Sequence, residues 1–165
     1  MKYLYQNDPD LYQVIQRVGC FFRSALHLAE AKVQQALTAL QINGLWEKSK
    51  TLCYIATLHG EKNCVVSSAA IANLALKELG CPGRFVEVGV FKEGVLTWYA
   101  SVKEKRADAF IQKIQQGGPS KTHFRCVDKT GTVTFEPHDP PIKALGVFYT
   151  ICYRFDGGEN DTGKQ

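Results

Sequence analysis

The 165-residue chain has no Cys-x-x-Cys pair, no apolar run approaching the ~20 residues of a membrane span, and no cluster of lysine and arginine. Each absence removes a class of function. The spread of basic residues over a net charge of only +4 argues against a nucleic-acid footprint. The opening MKYLYQNDPD lacks the apolar core of a signal peptide, so a cytoplasmic chain without membrane attachment is expected. Phosphate-cradling glycines are missing too: Gly117-Gly118-Pro119 follows an expected helix instead of preceding one, the wrong end for an anion. There are no internal repeats.

Six cysteines are present, at positions 20, 53, 64, 81, 126 and 152, without the tight spacing of a secreted disulfide framework. They are expected to be reduced, most of them packed as small apolar side chains. No metal is expected. His123, Cys126 and His138 are the nearest thing to a ligand set, but positions 123 and 126 of one strand face opposite ways, and no zinc spacing is matched.

The pattern of apolar residues predicts an α+β domain over residues 1–155 and a disordered tail over 156–165. Asn7-Asp8-Pro9-Asp10 marks a turn, and Leu11, Val14, Ile15 and Val18 recur at helical spacing up to Gly19. A helix is expected over about 20–36, followed by a second over about 39–52. Thr38 and Gln41 form a capping box, and Leu40, Ile42, Leu45 and Trp46 are its expected buried residues. Residues 57–66 read as a loop, and Ser67 or Ser68 caps a helix that stops at Gly80.

Strands are expected at Arg84–Phe91 and Val95–Val102, joined by a turn at Lys92-Glu93-Gly94. A helix is expected over 104–116, then a hairpin of 122–128 with 132–137, Gly131 taking the positive φ of its turn, and a last strand at about 145–155.

Three residues stand out chemically. Cys20 opens the long helix, where free N–H groups and the helix dipole favour thiolate over thiol. In a three-residue hairpin loop His123 faces Pro137, which puts Asp139 on the same face as His123, roughly 7–8 Å away on the diagonal. A slip of one residue would put His138 there instead. A carboxylate beside an imidazole fixes its tautomer, and the imidazole can take a proton from a thiol: nucleophile, base and orienter. The oxyanion site would use the Cys20 N–H with a side-chain donor from Gln16 or Gln13. Each residue also has an ordinary structural use: Cys20 under Phe21 and Phe22, His123 on a strand surface, Asp139-Pro140 as a turn. His27 and His59 read as solvated.

Gly-Cys at a helix start, the following Ser24, and the hairpin Thr-His-Phe-Arg-Cys-Val-Asp…Phe-Glu-Pro-His-Asp-Pro resemble the papain-like cysteine peptidases, and among them the double-glycine, bacteriocin-processing group and its stand-alone bacterial and prophage-encoded relatives. The Leu37-Thr38…Ile42-Asn43…Trp46 segment resembles the second helix of those domains. The likeness runs over most of residues 11–155 and implies helices packed on an antiparallel sheet. It also implies Cys20 as nucleophile, His123 as base and Asp139 as orienter, a peptide or amide substrate, and no cofactor. That family's oxyanion glutamine stands six residues before the cysteine; here Val14 holds that position. The residues after the cysteine, Phe21-Phe22-Arg23, are bulkier than the family's small set.

Overall fold

The computed structural model describes residues 2–92, 95–96, 107–118 and 121–157. Among these the chain is α+β. Helices α1 (Gln13–Val18), α2 (Cys20–Val33) and α3 (Ala39–Thr51) come first, then a hairpin of β1 (Ile55–Leu58) and β2 (Glu61–Val65) and helix α4 (Ser68–Glu78). Strands β3 (Arg84–Lys92), β4 (Val95–Leu96), β5 (Ala109–Gln115), β6 (Thr122–Val127), β7 (Val133–Phe135) and β8 (Gly146–Asp156) form one antiparallel sheet in the order β4-β3-β8-β5-β6-β7. Among the described residues no helix is long and apolar enough to cross a membrane.

The break between α1 and α2 is set by packing. Gly19 donates its N–H to Ile15 C=O at 2.8 Å, and a Cβ placed on Gly19 would lie 2.3 Å from that oxygen. Only glycine allows so close a return, and Gly19 C=O then accepts the Arg23 N–H at 2.7 Å, so α2 starts at Cys20. Phe22, Ala25, Leu26 and Ala29 carry α2 into a core shared with Ile42, Trp46, Ile71, Leu76, Ile111 and Tyr153. Phe22 meets Trp46 edge to face at 5.0 Å. Burying side chains of this size contributes roughly 1.5–3 kcal/mol each. The capping box forms as expected: Gln41 N–H donates to Thr38 Oγ1 while Gln41 Oε1 accepts from Thr38 N–H. Ser67 is the cap of α4.

Four expectations are overturned. Residues 57–66 are not a loop but most of the β1–β2 hairpin, whose His59-Gly60 turn has positive φ at both positions, as a two-residue hairpin turn with the right twist requires. Residues 109–115 are strand, not helix. β5 lies between β8 and β6 with Ile111, Gln112 and Ile114 all buried, so its apolar positions lost the alternation that marks a one-sided strand and took on helix-like spacing. Gln112 is buried because its Oε1 accepts from Arg125 on β6 at 2.8 and 3.1 Å. Leu40 is 83% exposed on the outer side of α3. His27 is buried, and its partners belong to the site. The expected Lys92-Glu93-Gly94 turn and most of the Val95–Val102 strand lie outside the described residues, as do residues 158–165 of the expected tail; Asp156 belongs to β8.

Candidate active site

Two aromatic neighbours bring the ends of α2 and β6 together. Phe21, next after Cys20, stacks on Phe124, next after His123, with ring centroids 4.0 Å apart and planes 3° from parallel. The bulk after the cysteine therefore has a use: Phe21 docks the helix start to the strand start, Phe22 enters the core, and Arg23 enters a buried ion pair. Further along, Cys126 Sγ donates to Ser24 C=O at 3.4 Å and holds the middle of β6 against α2.

His123 is 3% exposed. Its Nε2 is hydrogen-bonded to Oε1 of Glu136, and the Cys20 side chain reaches the same imidazole. Burial works against a charged ring. It is outweighed by the neighbouring side chains of Cys20 and Glu136, and the His123 pKa is raised to about 9. A carboxylate, an imidazole and a thiol thus converge, the thiol being the one that opens a helix.

The carboxylate is not the expected one. Val127 pairs with Val133 in the expected register, but a bulge shifts the ladder by one residue, so that Cys126 pairs with Phe135. One step further Glu136 comes opposite Arg125, on the face of His123 and diagonal to it. Asp139 is exposed and enters contacts through its backbone: its C=O accepts from Asn7 Nδ2 at 2.6 Å and its N–H donates to Asn7 Oδ1 at 3.1 Å. His138, the residue a simple slip would have selected, donates its backbone N–H to Glu136 Oε1 at 3.3 Å and turns its ring to Pro140 C=O at 2.9 Å.

Of the expected oxyanion side chains, one is occupied and the other exposed. Gln16 donates its amide to Leu11 C=O at 2.7 Å, and Gln13 is exposed at the first residue of α1. A third glutamine, Gln6, is buried against α1, its Nε2 donating to Gln16 C=O at 3.1 Å and its Oε1 without a hydrogen-bond partner.

Beneath the site lies a buried charged cluster. Arg23 Nη2 is 2.8 Å from Glu30 Oε2, Leu37 N–H donates to Glu30 Oε1 at 2.9 Å, and His27 Nδ1 is 3.4 Å from Glu30 Oε2. Burial pushes His27 below its ordinary value, and the neighbouring Glu30 carboxylate does not overcome it. For Glu30 burial is the largest influence and opposes ionisation, but the neighbouring His27 and the Arg23 charge together hold its carboxyl below the usual range. The His27 ring stacks on Phe135 at 4.0 Å, the residue before Glu136.

All six cysteines are free. Burial pushes the Cys126 thiol up to about 12 and the Cys152 thiol to about 11. No group of three or more His, Cys, Asp or Glu among the described residues could hold a metal ion. A cleft of about 900 Å³ is lined by His27, Lys32, Asp108, Cys126 and Arg154 and includes neither Cys20 nor His123. No family model, curated protein or solved structure matches the chain.

Proposed function

We propose that the chain is a thiol hydrolase of papain-like type acting on a peptide or amide bond, with Cys20 as nucleophile, His123 as base and then acid, and Glu136 as the group that orients and supports the imidazolium. The observation that carries this reading is the convergence of Cys20 and Glu136 on one buried imidazole. With Nε2 given to Glu136, Nδ1 is the nitrogen available to the thiol. A proton moved from sulfur to Nδ1 leaves a thiolate beside an imidazolium that Glu136 stabilises. The thiolate attacks the carbonyl carbon, the imidazolium protonates the leaving amine, and water, deprotonated by the same ring, releases the acid. The Cys20 N–H, in the first turn of α2, would donate to the oxyanion. Transfer of the acyl group to an amine in place of water would use the same residues.

The test is labelling of the native protein with iodoacetamide. Cys20 is expected to react well ahead of the other five cysteines, and His123→Ala to slow it at least tenfold, on the order of one general-base contribution. Equal rates at Cys20 and the exposed Cys53 would end the reading.

A second reading is supported by one observation: Gln16, the nearest expected oxyanion donor, spends its amide on Leu11. It makes the domain a papain-like binding or regulatory module without turnover. Cys20 would then alkylate rapidly, yet no acyl-enzyme would accumulate with activated esters or amides.

A further inference from the structure

Glu136 lies one residue past the last ladder pair of β7, so the sheet does not hold its backbone. Pro137 and Pro140 lack N–H donors, which leaves the 136–140 segment few bonds of its own. The N-terminal arm supplies them. Gln6 N–H donates to Pro137 C=O at 2.5 Å, and the Asn7 side chain takes both the N–H and the C=O of Asp139. The arm is itself fixed to α2, since Arg23 Nε donates to Leu4 C=O at 2.7 Å. Tyr3 packs edge-on against His27 at 4.6 Å and Phe135 at 6.2 Å. A cleft of about 340 Å³ between arm and sheet, lined by Tyr3, Tyr5, Phe135, Glu136 and Pro141, marks where water would reach the carboxylate if the arm were displaced.

These contacts close a ring: Cys20 and Arg23 on α2, the arm, the 136–139 segment, Glu136, His123, and back to Cys20. We propose that Asn7 is a positioning residue for the site, acting through the Asp139 backbone to hold the 136–139 segment so that Glu136 faces His123. The proposal rests on the Cys20–His123–Glu136 reading only for its catalytic consequence. The effect on the His123 ring stands apart from turnover, because a carboxylate that drifts from the imidazole no longer supports its charge.

The experiment is titration of His123 in the full-length protein by NMR of labelled histidine, beside the pH profile of Cys20 alkylation by iodoacetamide. In Asn7→Ala the His123 pKa is expected to fall from about 9 by about one unit, and Cys20 alkylation at neutral pH to slow about tenfold, with the urea midpoint used to verify folding. Asn7→Asp keeps the oxygen that accepts the Asp139 N–H and loses the donor to its C=O; it is expected to fall between, and serves if the alanine variant does not fold. A merely structural asparagine would lower the urea midpoint and leave the His123 titration in place, and that result overturns the proposal. A shifted His123 titration with a Cys20 no more reactive than Cys53 would instead uphold the role of Asn7 and remove the nucleophile.

Discussion

Glu136 is hydrogen-bonded to Nε2 of His123, whereas Asp139, three residues later, is tied to Asn7 through its backbone and leaves its side chain exposed. The two carboxylates are therefore separable by mutation. Glu136→Gln keeps the shape and removes the charge that stabilises the imidazolium. It is expected to lower the His123 pKa and to slow Cys20 alkylation at pH 7 by about tenfold or more, each unit of pKa being a factor of ten. Asp139→Asn is expected to leave the rate close to wild type. The reverse order of effects would return the orienting role to Asp139.

The raised pKa of His123 makes stability depend on pH in a definite direction. The folded state binds the ring proton more tightly than the unfolded chain does, since the pKa is about 9 against the ordinary 6.5. Its contribution is thus fully present below about pH 6.5 and is lost as pH rises through about 9. The span corresponds to roughly 3 kcal/mol at most, at 1.36 kcal/mol per unit. Urea unfolding at pH 6 and at pH 9.5 should show wild type losing more stability than His123→Ala over that interval. Parallel losses in the two proteins would contradict the assigned pKa.

Much of the helical half was legible because its signals are local. The Thr38–Gln41 box, the Gly19 break and the α2 stripe each need only a few consecutive residues, and each is where the sequence puts it. The sheet was harder. β5 is buried on both faces, so Ile111, Gln112 and Ile114 carry no period-two signature, and the arginine that satisfies Gln112 is thirteen residues away. His27 among polar neighbours looks solvated until Arg23, Glu30 and Phe135 are seen to surround it. For the site, the sequence put Cys20 at a helix start, but it named Asp139, beyond the return strand, as the partner of His123, where the structure has Glu136. The register shift between Cys126 and Val127 that brings Glu136 to His123 in place of Asp139 or His138 is a single bulge, which no residue pattern announces.

Gly19 is expected to be intolerant of any side chain. A Cβ there would meet Ile15 C=O at 2.3 Å, and backbone at both ends of the contact leaves no flexible group to move aside. Gly19→Ala should cost about 1–3 kcal/mol, the usual range for overpacking. It should also displace the first turn of α2, so that Cys20 alkylation slows even where the protein remains folded. A urea midpoint unchanged from wild type would show that the α1–α2 junction is looser than this geometry allows.

Arg23 and Glu30 are both fully buried, three and ten positions beyond Cys20 on the same helix, and each depends on the other for compensation. Glu30→Gln leaves the Arg23 guanidinium without its countercharge, and Arg23→Met leaves the Glu30 carboxylate with the Leu37 N–H and with His27, whose proton burial disfavours, but with no fixed positive charge. Either single change is expected to cost about 3–5 kcal/mol, since an unpaired buried charge is far worse than a missing pair. The double variant Arg23→Met with Glu30→Leu should recover much of that loss in a thermal melt. It should not recover Cys20 reactivity in full, because Arg23 also holds Leu4 C=O and so anchors the arm whose Asn7 supports the Glu136 segment. Recovery of stability and reactivity together would mean that the cluster acts on the core alone and that the arm keeps its place without it.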